Sequence, residues 1–237
     1  MRDLVHIHQT AELAERVLLP GDPGRALRLA QALLDAPLML NHHRGLWGYT
    51  GVAADGLALS IQSTGMGGPS AAIVVTELIE LGAQRLVRVG TCGGLRDGLA
   101  LGQLIVVTEA LADDGTSTAL GGHERMASVR AVGARLPAAL LAAGQAADPP
   151  AVTGATVSSD LFYGAEPYLE RWRRAGALAV EMEAAAIFTV AARAGAQAGC
   201  LLLVSNLVGS HAYIDAQALH AAELRVGELA VAALGPS

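Results

Sequence analysis

Residues 20–25, Pro-Gly-Asp-Pro-Gly-Arg, have the composition of a turn that binds an oxyanion. They follow the apolar run 17–19, so a short strand is expected to end in this turn. Gly21 can take a positive φ and expose its N–H, and Arg25 adds a guanidinium on the helical turn that follows. Such donors suit phosphate. Taken alone the motif is weak, because a Gly-Asp-Pro turn beside a solvated arginine is a common surface feature.

The cations available for this role are all arginines. The chain has 16 basic residues, none of them lysine, and 22 acidic residues, for a formal net charge of −6. The lack of lysine excludes Schiff-base chemistry and the lysine of a P-loop, and an acidic chain without a basic run argues against nucleic acid as a partner. Arg88 stands inside the apolar run 86–89, where an unpaired charge is costly, so it is expected to have an anionic partner.

Apolar runs with strand character alternate with helical patterns along the chain. The expected strands cover residues 17–19, 57–63, 86–89, 104–108, 151–157 and 201–204, and the expected helices cover 69–81, 183–194 and 216–234. This alternation predicts an α/β fold with a mixed central β-sheet flanked by helices. Glycine-rich loops at 65–68 and 90–94 follow two of the strands, and ligands of open α/β sheets collect at the carboxyl ends of strands.

A single domain over residues 1–237 is the simplest organisation of these elements. The Asp-Pro-Pro segment at 148–150 is a plausible hinge, but a boundary there would divide the series of strands and loops. The stretch 113–126 is polar and rich in glycine, which is typical of a mobile surface loop.

The composition of the chain also indicates where in the cell the protein is located. No apolar run reaches the roughly 18 to 20 residues that span a bilayer, and the N-terminus lacks the apolar stretch of a secretory signal. Cys92 and Cys200 are far apart and match no disulfide or metal framework. These features predict a soluble cytoplasmic protein with no metal site and no membrane association.

Six segments in a fixed order carry a resemblance to a known family. They are Pro-Gly-Asp-Pro-Gly-Arg (20–25), Asn-His-His-Arg-Gly (41–45), Ser-Thr-Gly-Met-Gly-Gly-Pro-Ser (63–70), Arg-Val-Gly-Thr-Cys-Gly-Gly (88–94), Ser-Ser-Asp-Leu-Phe-Tyr (158–163) and Val-Glu-Met-Glu-Ala (180–184). They resemble the nucleoside phosphorylases, and more narrowly the bacterial hexameric type of purine nucleoside phosphorylase. The resemblance implies the nucleoside phosphorylase/hydrolase-like fold and phosphorolysis of purine nucleosides in purine salvage. It also implies inorganic phosphate as co-substrate, no metal or organic cofactor, and a homohexamer built as a trimer of dimers.

The resemblance also assigns residues to three subsites. The phosphate subsite would comprise Gly21, Arg25, Arg88 and Thr91, with Arg44 supplied by a neighbouring subunit. The ribose subsite would comprise Met66, Met182 and Glu183, with His6 of a neighbouring subunit on the 5′-hydroxyl and His8 as the alternative to His6. The base subsite would comprise Cys92, Gly93, Phe162, Val180, Ser205 and Asn206, with Phe162 and Val180 on the two faces of the base. Three arginines would supply the forked cations that a phosphate dianion needs.

Some of these residues also have ordinary structural explanations. Met66 and Phe162 are as readily explained as core residues, and Glu183 as an acid favoured at a helix N-terminus. Glu181 and Glu183 are two positions apart and cannot share a helix face. One of the two acids is therefore expected to face the pocket and the other to be structural.

Residue 206 departs from the family pattern. Many hexameric purine phosphorylases have an acid after the serine that ends the late strand, and an arginine further along that assists it. This chain has Asn206 after Ser205 and no arginine in 217–220. An asparagine cannot protonate N7 of a departing adenine, but its NH₂ can donate to N7 and O6 of a 6-oxopurine, where negative charge develops. Asn206, Arg88 and Glu183 are therefore the expected catalytic residues, with inosine and guanosine preferred over adenosine.

Alternative functions remain open on the same fold. Uridine phosphorylase shares the 63–70 segment, but it reads the pyrimidine with a glutamine and an arginine just after the Phe-Tyr pair. This chain has alanine and proline there, at Ala165 and Pro167. A non-catalytic nucleoside-binding protein would have little need for three arginines at the attacking side. Nucleoside hydrolases attack with water and do not need those arginines either.

Overall fold

The computed structural model of the chain describes residues 4–210 and 212–236. The strands are β1 (Arg16–Leu19), β2 (Leu34–Asn41), β3 (Gly48–Ala53), β4 (Ala58–Gln62), β5 (Arg85–Gly94), β6 (Leu104–Asp113), β7 (Ala127–Arg130), β8 (Val152–Ser159), β9 (Ala179–Glu181) and β10 (Gln197–Leu207). The helices are α1 (Pro23–Leu33), α2 (Gly67–Glu80), α3 (Gly115–Gly121), α4 (Arg135–Ala146), α5 (Leu169–Arg174), α6 (Ala184–Ala194) and α7 (Ala216–Leu234). Short 3₁₀ helices cover His43–Gly45 and Glu166–Tyr168.

Within these described ranges, ten strands form one mixed sheet. The strand β5 lies parallel to β1 on one side and to β10 on the other. The strand β10 is antiparallel to β6, which is parallel to β8; β8 is parallel to β9, and β9 returns antiparallel to β5. These five strands therefore close into a ring, while β4, β3 and β2 extend the sheet beyond β1. The expected mixed sheet flanked by helices is confirmed.

Helices cover both faces of this sheet. On one face α2 packs against α6, and Phe188 of α6 shares a core with Leu86 of β5. On the other face α7 packs against α1 and α4, and Val226 of α7 shares a core with Leu29 of α1 and Val87 of β5. Consecutive residues of β5 thus enter opposite cores, as the alternation of side chains along a strand requires. In the described ranges no helix combines the length and the hydrophobicity needed to cross a bilayer.

The expected strands and helices are present, and most strands extend beyond their apolar runs. The strands β5 and β10 continue through Gly94 and Leu207, into the segments that carry the candidate site. Apolar runs do not reveal β2, β3, β7 and β9. The edge strand β2 exposes most of its side chains, and β9 has only three residues, so neither forms a recognisable apolar run.

The loop expected at 113–126 is wrong for residues 113–121, which end β6 and form α3. Asp113 is the last residue of β6, and its buried carboxylate accepts a hydrogen bond from the Trp172 Nε1–H at 2.7 Å. Asp114 caps α3 by accepting a hydrogen bond from the Ser117 N–H at 2.8 Å. Two of the acids in this stretch are thus a buried anchor, Asp113, and a helix cap, Asp114.

Candidate active site

Three strand ends meet beside Gly93. This residue of β5 pairs with Val180 of β9 on one side and with Asn206 of β10 on the other. The Ser205 hydroxyl donates to the Cys92 carbonyl oxygen at 3.3 Å. The backbone pairing therefore brings together five of the six residues expected around the base.

Gly93 leaves space for the amide of Asn206. A Cβ built on Gly93 would lie 3.3 Å from Nδ2 of Asn206 and only 2.7 Å from a methyl carbon of Val208. The pairing of β5 with β10 shifts register between Val204 and Asn206, as it does at a bulge. The side chain of Asn206 is half-buried, and its Oδ1 lies 3.3 Å from the same Ser205 hydroxyl, which can donate to it or to the Cys92 carbonyl oxygen. Asn206 is thus held at the end of β10 by its pairing with Gly93 on β5 and by its neighbour Ser205 on β10 itself.

Arg88 is buried in β5 and held by two carboxylates. Its Nε donates to Oε2 of Glu181 at 2.8 Å, and its Nη2 lies 2.6 Å from Oε2 of Glu183. Burial alone would lower the pKa of Arg88, but Glu183 and Glu181 raise it above its ordinary value. Gly90 makes room for the guanidinium, since a Cβ there would lie 2.8 Å from Cζ of Arg88. The anionic partner expected for Arg88 is present.

The two glutamates play different parts. Glu181 accepts hydrogen bonds from Arg88 and from the Ser158 hydroxyl. It also accepts hydrogen bonds from the backbone N–H groups of Glu183 and Ala184, at the start of α6. Glu183 accepts the Gly67 N–H through Oε1 at 2.6 Å and pairs with Arg88 through Oε2. Glu181 is therefore the structural acid, and Glu183 is the acid that borders the start of α2.

The glycine-rich loop between β4 and α2 connects Gly21 with Glu183. Gly65 and Gly67 have φ values of 71° and 84°, which favour glycine. The Gly65 N–H donates to the Gly21 carbonyl oxygen at 3.1 Å, and the Gly67 N–H donates to Glu183. The positive φ expected at Gly21 is wrong. A Cβ at residue 21 would lie only 3.2 Å from the Gly65 carbonyl oxygen. The close approach of the two loops therefore explains why residue 21 is a glycine.

Arg25 lies in the first turn of α1 and is held by α7. Its Nε donates to Oε1 of Glu223 at 2.7 Å, and Oε2 of Glu223 accepts a hydrogen bond from Arg28 at the same distance. Arg25 also borders Gly90, against which the guanidinium of Arg88 lies. Glu223 has no counterpart among the expected site residues. Its signal in the sequence is weak, because Glu223 is one of two acids within α7, the other being Glu228.

His6 and Arg44, both expected to serve a neighbouring subunit, lie in one surface region. Arg44 is exposed in the 3₁₀ helix after β2, with a φ of 57°. The adjacent His43 ring stacks on the His8 ring, with centroids 3.9 Å apart. Partial desolvation lowers the pKa of His43, and the charge of the adjacent Arg44 lowers it further. Nδ1 of His6 lies 2.7 Å from Oε1 of Glu77 on α2.

The remaining candidates are exposed or half-buried. Met66 is 84% exposed and Phe162 is 68% exposed, which excludes the core explanation for both. Met66 directly precedes α2, and Phe162 follows β8 with its ring edge-on to that of Tyr163 at 4.9 Å between centroids. Met182 and Thr91 are half-buried, next to Glu183 and Cys92 along the chain.

Comparison with known proteins defines the class to which this arrangement belongs. The sequence model of the Phosphorylase superfamily matches residues 15–234, and the chain belongs to that family.

Among curated relatives, a purine nucleoside phosphorylase DeoD-type of Geobacillus kaustophilus is 38% identical over 213 residues, or 85% of each chain. A protein of the same description from Clostridium beijerinckii is 39% identical over 205 residues, again 85% of each chain. A guanosine phosphorylase of Halorubrum lacusprofundi is 35% identical over 213 residues, covering 86% of this chain and 83% of its own. The crystal structure of a uridine phosphorylase from Vibrio fischeri superposes with a TM-score of 0.84 and 28% identity, covering 94% of this chain and 92% of its own.

Proposed function

We propose that this chain is a purine nucleoside phosphorylase. An oxygen of inorganic phosphate attacks C1′ of the nucleoside while the bond from C1′ to N9 of the purine breaks. The bonding electrons leave with the base, and the products are ribose 1-phosphate and the free purine. The relatives named purine nucleoside phosphorylase support this reaction, and so does the convergence of candidate subsites where β5, β9 and β10 end.

The phosphate would be bound on the β5 side of the site. Arg88 supplies a buried guanidinium whose position is already fixed, and Arg25 supplies a second guanidinium from α1. The hydroxyl of Thr91 and the backbone at Gly21 would add neutral donors, and Arg44 of a neighbouring subunit would add a third cation. Cations held in place before the dianion arrives need little reorganisation during the reaction.

The ribose would lie between the phosphate and the base. Glu183, held between Gly67 and Arg88, would accept hydrogen bonds from the sugar hydroxyls. Positive charge grows on the ribose ring as the glycosidic bond breaks, so a nearby carboxylate also stabilises the transition state. Met66 and Met182 would form the apolar floor, and His6 of a neighbouring subunit would contact the 5′-hydroxyl.

The preference for a 6-oxopurine over adenine is inferred from the amide side chain of Asn206. Its amide lies against Gly93, where its NH₂ would donate to O6 and N7 of a 6-oxopurine held between Phe162 and Val180. An adenine leaves best with N7 protonated, and an amide cannot deliver that proton. Binding adenosine without stabilising its transition state does not accelerate the reaction. We therefore expect inosine and guanosine to react faster than adenosine, and a relative named guanosine phosphorylase agrees with this order.

A second candidate is uridine phosphorylase, which the structural likeness to one such enzyme favours. The 3₁₀ helix Glu166–Tyr168 follows the Phe-Tyr pair, and this turn carries Ala165 and Pro167. Neither residue has a side-chain group to pair with the edge of uracil. A polar edge left unpaired in a binding site costs affinity, so the purine reaction is the first choice.

The proposal also covers the oligomeric state, the co-substrate and the cellular compartment. Arg44 and His6 can act on a neighbour's site only if subunits associate, and the family resemblance implies that they associate as a homohexamer arranged as a trimer of dimers. Inorganic phosphate would be the co-substrate, and the reaction as proposed uses no metal or organic cofactor. The protein would work in the cytoplasm, in purine salvage. A catalytically active monomer in sedimentation would contradict the shared sites.

The test is release of free base from inosine, adenosine and uridine, each with and without phosphate. Phosphate-dependent release of hypoxanthine, with adenine released much more slowly, supports the proposal and the role of Asn206. Release mainly from uridine favours the second candidate, and release without phosphate indicates a hydrolase. Binding of inosine without release of base from any nucleoside indicates a non-catalytic binding protein.

A further inference from the structure

We infer that Glu77 is a positioning residue for the ribose subsite: it holds the His6 ring so that Nε2 meets the 5′-hydroxyl of a nucleoside bound in the neighbouring subunit. This inference deepens the proposed function and rests on it. Glu77 lies on α2, is buried, and has no part in the phosphate, ribose or base contacts already described.

The carboxylate of Glu77 makes several hydrogen bonds with the N-terminal segment. Oε2 accepts the N–H of Ile7 at 2.7 Å and the N–H of His6 at 3.0 Å. Oε1 lies 2.7 Å from Nδ1 of His6 and accepts the Val5 N–H at 3.3 Å. One buried acid therefore fixes three successive peptide groups and one imidazole. Such a cluster of donors on one carboxylate orders a segment that lies outside the sheet.

The same contacts fix the hydrogen-bonding pattern of the His6 ring. Burial pushes the pKa of Glu77 up, but hydrogen bonds from the His6 side chain and from the Ile7 and His6 N–H groups outweigh burial and hold the pKa below its ordinary value. An ionised carboxylate can only accept, so Nδ1 of a neutral His6 must carry the hydrogen. Nε2 is then a bare acceptor, to which a hydroxyl group can donate.

His8, the other histidine considered for this contact, is held differently. Its ring stacks on His43 on an exposed surface. Its backbone N–H, rather than its ring, is tied to the protein through Oδ1 of Asn41 at 2.9 Å. Stacking leaves the tautomer of a ring open, whereas a carboxylate on Nδ1 sets it. In its neutral form, His6 is therefore the histidine whose tautomer is set and whose Nε2 is a defined acceptor.

The test compares inosine with 5′-deoxyinosine, which lacks only the hydroxyl in question. Glu77→Gln removes the charge and one of the two acceptor oxygens, and should lower kcat/KM for inosine about fivefold while 5′-deoxyinosine changes by less than about twofold. Glu80→Gln, an exposed acid on the same helix, is the matched control and should leave both values unchanged. His6→Ala should lower the ratio of inosine to 5′-deoxyinosine at least as much, and His8→Ala should preserve that ratio.

In the His6→Ala background, Glu77→Gln should have no further effect on the ratio. Equal losses on both nucleosides would mean that Glu77 serves folding alone and would overturn the inference. An unchanged ratio in His6→Ala would overturn it as well. If Glu77→Gln does not fold, Glu77→Asp, which keeps the charge but withdraws it by one methylene, gives the same comparison. A wild-type chain that cleaves neither nucleoside overturns the proposed function, and this inference with it.

Discussion

The ends of β5, β9 and β10 and the surface around the His43–Gly45 turn place their functional residues by different means. At the strand ends, Gly93 and Asn206 are positioned by backbone pairing, and Arg88 is fixed between two buried carboxylates. Around the turn, Arg44 is an exposed side chain on a strained backbone, with a φ of 57°. The first region is assembled by the fold of one chain, whereas the second needs an opposing surface to become a site.

This difference determines when each arginine is ordered. The cost of burying Arg88 is offset by Glu181 and Glu183 during folding, so a phosphate would meet a charge that is already in place. Arg44 has about 2 kcal/mol of rotamer entropy to lose, and it can lose it only when subunits and ligand come together. Removal of Arg88 should therefore harm both folding and activity, and removal of Arg44 should harm activity alone.

The largest effect is expected for Arg88→Met, which keeps the length of the side chain and removes its charge. Steady-state kinetics with inosine should show kcat/KM falling about a thousandfold, as when a preorganised charge is lost. The free energy of unfolding should fall by about 3–5 kcal/mol, because two carboxylates remain buried without their partner. The exposed Arg96, replaced in the same way, is the control. Near-normal phosphate-dependent turnover by Arg88→Met would remove Arg88 from the phosphate subsite.

A smaller and different effect is expected for Arg44→Ala. Its kcat/KM for phosphate should fall about thirtyfold through loss of one charged contact, while the unfolding midpoint stays the same because no buried partner is abandoned. Co-expression with Arg88→Met subunits should restore part of the activity. In mixed assemblies, some sites combine Arg88 of one subunit with Arg44 of its neighbour. Mixed assemblies that form but stay inactive would place Arg44 in the site of its own chain.

The same contrast explains what the sequence could predict. Apolar runs identify β5 and β10 because these strands are buried on both faces, and the family motifs at their ends then locate Arg88 and Asn206. Glu223 lies 198 positions from Arg25, and Glu77 lies 71 positions from His6. Partners at such distances leave no local pattern, so only the folded structure reveals them.

Two local errors have the same physical origin. Polar residues in the 113–126 stretch have the composition of a solvated loop, although Asp114 is a buried helix cap. A glycine after a strand suggests a left-handed turn, although Gly21 is explained by its contact with the Gly65 carbonyl. In both cases the same residue types fit two different local structures. Packing against a segment distant in the sequence determines which of the two forms.

Asn206→Asp tests whether selectivity can change within the region placed by backbone pairing. The aspartic acid can donate a proton to N7 of adenine, so the ratio of kcat/KM for adenosine to that for inosine should rise about tenfold. The absence of an assisting arginine in 217–220 limits the gain. Asn206→Ala, which removes the donor without adding an acid, should lower activity on inosine and leave adenosine slow. An unchanged ratio in Asn206→Asp would mean that residue 206 does not face the base.

Glu223→Gln tests the intermediate case, since Arg25 is buried like Arg88 but is held by a carboxylate from another helix. The amide keeps the shape of the side chain and weakens the hold on the Arg25 Nε. The KM for phosphate should therefore rise about fivefold while the KM for inosine is unchanged. Glu228→Gln, an exposed acid on the same helix, is the matched control. An equal rise in both KM values would mean that Glu223 serves the packing of α7 against α1. The orientation of Arg25 would then be set by α1 alone.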